Sequence, residues 1–177
     1  YDALIERLAH ASRHSDLIVT SAGMSAGDRD LVRAALAAVG GTIAVSSVAM
    51  KPGKPLALGT IGRAAFVGLP GNPQAAAFSA LAFVRPMITA LAGRAQNAPA
   101  TVLSAFPGDR PSEKTELVPV TLETSSGQPK AYRVGQPGSH RLMPLLDADA
   151  LAIIPATDTP LKIGDRLEVL PFLDPEY

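Results

Sequence analysis

Met50–Pro73 reads MKPGKPLALGTIGRAAFVGLPGNP, and the fold is decided on it. Two loops stiffened by proline and glycine, Lys51–Pro55 (KPGKP) and Leu69–Pro73 (LPGNP), bracket a short apolar segment. Proline fixes φ and glycine opens positive φ, so each loop holds one shape and can turn backbone N–H groups outward. Leu56–Gly59 and Ala64–Val67 read as the arms of a β-hairpin, with Thr60–Arg63 as its turn. The first loop carries two ammonium groups, Lys51 and Lys54, three residues apart. Rigid loops lined with lysine suit an anionic ligand.

Upstream, residues 2–13 place Leu4, Ile5, Leu8 and Ala11 on one stripe of a helix. His10 and His14 stand at i, i+4, which could bridge a metal, but with no third ligand a solvent-facing pair is the simpler reading. Asp16–Thr20 is a short apolar run of the kind buried in a parallel sheet. A loop of small residues follows, Ser21–Gly27 (SAGMSAG), then a helix from Asp28 to Val39 and a strand over Thr42–Val48. Strand, glycine-rich turn, helix, strand predicts a βαβ unit in a mostly parallel sheet with a right-handed crossover. Ligands in such sheets gather at the C-terminal strand ends, where residues 20–30 and both rigid loops are expected.

Pro73 suits the first turn of a helix running to Leu91, with Asn72 as its N-cap and the helix start as an anion seat. Pro86 falls inside that helix and predicts a kink. Beyond Gly93 the texture changes. Short segments at 101–105, 116–123, 131–134, 151–154 and 166–170 are separated by turn residues, with one short helix at 143–147. They predict a small all-β barrel or sandwich, and so two domains, 1–94 and 95–177.

The formal net charge is zero, but residues 1–94 carry nine Lys/Arg against five Asp/Glu and residues 95–177 carry seven against eleven. The basic half is the better anion binder, and nothing argues for nucleic acid. The absence of cysteine excludes disulfides, thiolate metal sites and a cysteine nucleophile. No apolar run in the sequence approaches a membrane span, and the N-terminus is not a signal peptide, which makes the cytoplasm the default. Tyr1 in place of an initiator methionine, with a helix already under way at Asp2, predicts a piece of a longer protein.

Thr20–Asp30 (TSAGMSAGDRD), Val48–Pro55 (VAMKPGKP) and Gly68–Pro73 (GLPGNP) together resemble the molybdopterin molybdenumtransferase family, MoeA and the gephyrin E domain. Phe83–Pro86, Leu91–Gly93, Gln136–Ser139 and Ala148–Pro155 extend the resemblance over nearly the whole chain. It implies a MogA-like three-layer α/β domain, truncated at its N-terminus, then a small β-barrel domain. The family inserts molybdate into adenylylated molybdopterin with Mg²⁺, releasing AMP, and its full-length members are dimers that work beside a MogA-type adenylyltransferase.

By resemblance, Thr20, Ser21, Gly23, Ser25 and Gly27 wrap the pterin phosphate, and Asp28 and Asp30 orient Mg²⁺ or the pterin. Lys51 and Lys54, with Pro52 and Gly53 between them, neutralise molybdate or phosphate. Pro70, Gly71, Asn72 and Pro73 shape the wall, and Ser139 reaches in from the β domain. Three departures stand beside these matches. Ala22 replaces one of two adjacent glycines, Ser47 stands where some members carry a basic residue, and Ser112–Leu117 replaces a Gly-Arg-x-Glu-Phe motif, with Lys114 as the nearest substitute. They motivate the alternative of a divergent, non-catalytic molybdopterin-binding module. The piece alone is expected to fold but not to turn over.

Overall fold

In the computed structural model, residues 1–22, 31–96, 98–108, 113–125, 127–135 and 143–173 are described. The chain divides into two compact units, Tyr1–Val48 with Gly53–Gln96, and Ala49–Pro52 with Asn97–Tyr177.

The first unit holds α1 (Asp2–His14), β1 (Leu17–Ser21), α2 (Leu31–Ala38) and β2 (Thr42–Val45). After β3 (Met50–Lys51), which belongs to the other unit, come β4 (Ala57–Ile61), β5 (Ala64–Leu69), α3 (Pro73–Ser79) and α4 (Arg85–Leu91). The sheet order is β1-β5-β4-β2. β1 pairs parallel with β5, while β4 runs antiparallel to both β5 and β2. Three of the four strands therefore point the same way, but β1 and β2 do not touch. The hairpin between the two rigid loops is inserted between the strands of the predicted βαβ unit, which makes the sheet mixed in its pairing.

Period-two alternation sorts the apolar residues of this sheet into two layers. Ile18, Ala57, Ile61, Ala64 and Phe66 face α1 and α2 through Leu8, Ala35 and Leu36. Leu56, Val67 and Leu69 face the other way, onto Ala76, Ala80, Phe83, Val84 and Met87 of the long helix. Helices on both faces make three layers. Phe66 and Leu36 are wholly buried, each contributing about 1.5–3 kcal/mol by removal from water. The hairpin closes on Gly62–Arg63, with Gly62 at φ +57°, and Gly59 lets the Thr42 carbonyl lie against its α-carbon at an irregularity in the β2–β4 ladder.

The predicted kink at Pro86 takes a specific form. α3 and α4 are joined by a π-helical turn, Ala80–Val84, in which the Arg85 N–H reaches back to the Ala80 carbonyl. The wider turn absorbs the missing N–H and the bulk of the proline ring that follows. The two segments and the π turn between them form one helix, Pro73–Leu91, of 19 residues and mean hydropathy 1.3, long and apolar enough by those measures to cross a membrane. The primary sequence had suggested no such run, because Arg85 and Pro86 interrupt it. In the fold one side of this helix packs on the sheet.

The second unit is a barrel. β6 (Ala100–Ser104), β7 (Thr115–Ser125), β8 (Gln128–Arg133), β9 (Ala150–Ile154) and β10 (Arg166–Pro171) pair in the order β7-β8-β6-β10-β9, and a β7–β9 ladder closes the ring. α5 (Met143–Leu146) precedes β9. Alternate residues Val118, Val120, Ala150, Ala152, Leu167 and Val169 point into the core with Val102, Phe106 and Ala131. Ser104 is buried among them, and its hydroxyl donates to the Phe106 carbonyl at 2.6 Å. β7 exchanges partner at Val120, pairing with β9 before it and β8 after it, and the Asp149 carboxylate accepts from the Leu122 N–H at 2.8 Å beside this exchange. β3 adds to the start of β7 in parallel. This pairing takes Ala49–Pro52 out of the first unit, a discontinuity that the expected boundary at 94/95 does not contain.

Candidate functional site

Three of the predicted segments meet at one edge of the first unit's sheet. Thr20 is in register with Gly68, and Gly68 with Ala57, so the end of β1, the end of β5 and the start of β4 lie side by side. Residues Thr20–Ala22, Leu69–Pro73 and Gly53–Leu56 leave or enter the sheet there. The parallel ladder continues one step past β1, where the Ala22 N–H donates to the Leu69 carbonyl at 3.2 Å. Gly71 then passes close to Ala22: a β-carbon on Gly71 would sit 3.4 Å from the Ala22 methyl.

Ala22 adopts φ +67°, the single non-glycine residue with positive φ among those described. An L-residue pays about 1–2 kcal/mol for the left-handed region, against about 0.5–1 kcal/mol of extra chain entropy that glycine loses on folding. Ala22→Gly is therefore expected to stabilise the protein by about 1 kcal/mol, read as a higher urea midpoint at unchanged slope. A lower midpoint would contradict the assigned backbone conformation. Beside it, the Thr20 hydroxyl is shut off from solvent and has no hydrogen-bond partner among the described residues. A polar atom in that state calls for a partner from the following loop or a ligand.

LPGNP is built as a wall. Pro70 is buried, and Asn72 caps the helix as its sequence position predicts, its Oδ1 accepting from the Ala75 N–H at 3.0 Å. The Ala76 N–H goes to the Asn72 carbonyl, and Pro73 has none to give. This helix start offers an anion fewer donors than the bare sequence suggests.

KPGKP is divided between the units. Gly53 is buried at φ +121°, a conformation that only glycine takes without strain. The Lys54 carbonyl accepts from the N–H groups of Val48 and Leu56, at 3.0 and 2.9 Å, which pins the backbone of the loop while the Lys54 side chain stays exposed. Lys54 makes no ion pair among the described residues. Lys51 lies on the other side of the Lys51–Pro52 peptide, which is cis, and belongs to the barrel unit through β3. Its ammonium is 3.1 Å from Oε1 of Glu116. Nothing in the linear sequence pointed to that carboxylate, because 65 residues separate the partners and only the β3–β7 pairing joins them.

Gly23, Ser25, Gly27, Asp28 and Asp30, and Ser139 from the second half, lie outside the described residues. Among the described residues no group of three or more His, Cys, Asp or Glu side chains could hold a metal ion. His10 and His14 stack at 4.3 Å, and His14 Nδ1 contacts the His10 carbonyl at 2.8 Å, a local pair on a helix surface. A groove of about 840 Å³ runs beside α1 and β1, lined by Leu4, Leu8, Ala11, Ile18 and Val19. Among the described residues Thr20 is the predicted site residue that lines it, and Glu6, Arg7, His10 and Arg13 stand beside these apolar side chains.

Residues 1–90 match the model of the probable molybdopterin binding domain, and residues 101–172 match the MoeA C-terminal region, domain IV. The chain belongs to the molybdopterin molybdenumtransferase (MoeA) family. Similar relatives include a molybdopterin molybdenumtransferase of Nostoc sp., 32% identical over 95% of this chain and 40% of that protein. Another is molybdopterin molybdenumtransferase 2 of Mycobacterium tuberculosis, 33% identical over 96% of this chain and 42% of that one. A crystal structure of a MoeA protein from Pyrococcus horikosii superposes with a TM-score of 0.74 at 25% identity, over 98% of this chain and 41% of that chain. The MoeA-family chain thus spans about 40% of the length of these relatives.

Proposed function

We propose that this chain is part of an enzyme of molybdenum cofactor biosynthesis that inserts molybdate into adenylylated molybdopterin and releases AMP. The observation that carries the reading is the convergence of Thr20–Ala22, Gly53–Leu56 and Leu69–Pro73 on one sheet edge, at the C-terminal ends of two parallel strands. Both substrates are anionic there. The Lys54 ammonium, on a backbone fixed by two hydrogen bonds, supplies positive charge with no ion-pair partner among the described residues, and Lys51, paired with Glu116, is proposed as a second cation for the ligand. Gly71, beside Ala22, lets backbone approach a pterin or phosphate closely. The Thr20 hydroxyl is a polar group without a partner at the same edge. In this reading Pro70, Asn72 and Pro73 hold the wall rigid, so that the reacting groups meet in one geometry.

Mg²⁺ would be held by Asp28 and Asp30, the hard oxygen ligands it needs, where it would neutralise charge on the phosphate. Both acids lie outside the described residues, which offer no cluster of their own, so no step is assigned to the metal. The parent is proposed to be a cytoplasmic homodimer, receiving its substrate from a MogA-type adenylyltransferase, with Ser139 contributing from the second half.

A second reading has specific support: a binding module that holds molybdopterin without inserting metal. Ala22 at positive φ and the attachment of Lys51 to Glu116 both depart from an optimised anion site. Molybdate-dependent AMP release by the full-length parent tests the difference. Turnover is expected. Retained pterin binding with no AMP release would leave the binding module and remove the enzyme.

A further inference from the structure

We propose that Glu116 is the resident counter-ion of Lys51 and lowers the affinity of that ammonium for anions, so that a ligand binds there by exchange with a carboxylate. The inference rests on the reading that Lys51 meets an anionic substrate. It concerns a residue that this reading does not itself call on.

The two partners are held unequally. Glu116 lies on β7 between two strands, in register with Lys51 of β3 on one side and Ile154 of β9 on the other. Its side chain is 24% exposed, that of Lys51 61%. The carboxylate is therefore the fixed member and the ammonium the one free to swing. β3 itself is anchored by buried Met50 and by the Thr115 N–H donating to the Ala49 carbonyl at 3.0 Å, so Lys51 cannot leave Glu116 by moving its backbone. An exposed pair of this kind adds little to stability. Its effect falls on what else the ammonium can bind. Any anion seated on Lys51 Nζ lies within a few ångströms of the Glu116 carboxylate and is repelled by it. One unit charge about 6 Å away in a water-like dielectric changes a monoanion's affinity about threefold. A dianion feels twice that energy, which squares the factor. Lys54 carries no such partner among the described residues, so the two lysines of KPGKP differ in their resting ion pairing.

The test uses molybdate and perrhenate, tetrahedral oxyanions of similar shape, one a dianion and the other a monoanion. Each is titrated into the 177-residue chain at low salt, following the backbone amide shift of Lys51. Glu116→Gln is expected to tighten perrhenate about threefold and molybdate about tenfold. The gain should shrink as salt is raised. Glu116→Ala, which removes the same charge by a different side chain, should give the same ratio between the anions. Adding Lys51→Ala should abolish it. If Lys51→Ala weakens both anions but neither Glu116 variant tightens them, the counter-ion role is overturned while the reading of Lys51 stands. If Lys51→Ala leaves both affinities unchanged, or wild type binds neither anion, the reading of Lys51 falls and the inference with it.

Discussion

Replacing Gly59 with alanine is expected to destabilise the α/β unit by about 3 kcal/mol or more, a large share of the roughly 5–15 kcal/mol that holds a domain together. The reason is local and steric. An ideal β-carbon on Gly59 would lie 1.9 Å from the Thr42 carbonyl oxygen and 3.1 Å from the α-carbon of Ile43. These are backbone atoms of the neighbouring strand, so no rotamer change relieves the contact. β2 must move away from β4, and with it the ladder from Thr42↔Thr60 to Val45↔Leu58. Calorimetry should show the transition of this unit fall by 10 °C or more at about 4–8 °C per kcal/mol, while the barrel's transition stays in place. Hydrogen exchange should accelerate at β2 and β4 first. A loss below 1 kcal/mol would mean that the irregularity between Ile43 and Val45 is placed wrongly.

The second large effect concerns charge. Lys51→Ala is expected to weaken binding of the anionic substrate about fivefold and Lys54→Ala about twentyfold, or about 1 and about 1.8 kcal/mol, and the double variant about a hundredfold. These figures sit below the value of a buried charged hydrogen bond because both side chains are exposed in the free protein. The singles should not behave alike. Lys51 gives up a carboxylate to take a ligand, so removing it costs a net exchange, whereas Lys54 has no ion-pair partner to give up among the described residues. Lys54→Ala should therefore be the more damaging single change and the more salt-sensitive contact to lose. Thermal stability should barely change in either variant, which separates loss of binding from loss of fold.

Much of this architecture could be read from local chemistry. The apolar arms Leu56–Gly59 and Ala64–Val67 announced a hairpin, which the structure extends to Ile61 and Leu69, and Asn72-Pro73 announced a capped helix start, because each signal is carried by adjacent residues. What stayed hidden depends on pairing across distance. Nothing local says that the hairpin inserts between β1 and β2, since a parallel partner for β1 is chosen by the whole sheet. Met50-Lys51 is too short to read as a strand, yet it joins the barrel and carries Lys51 to Glu116. The π turn before Pro86 was visible as a proline in a helix, though not as the device that keeps the helix continuous. For the candidate site, the rigid loops were legible from Pro and Gly. The positive φ at Ala22 was legible from the departure at that position, and the counter-ion was not legible at all.

The most direct test of the central claim is a calorimetric titration of adenylylated molybdopterin into the 177-residue chain, run beside its Lys51→Ala/Lys54→Ala double variant. Saturable binding at one site per chain, weakened about a hundredfold in the double variant with its melting temperature retained, is the predicted result. Binding that is absent from the wild-type chain, or equally tight in both proteins, would contradict it.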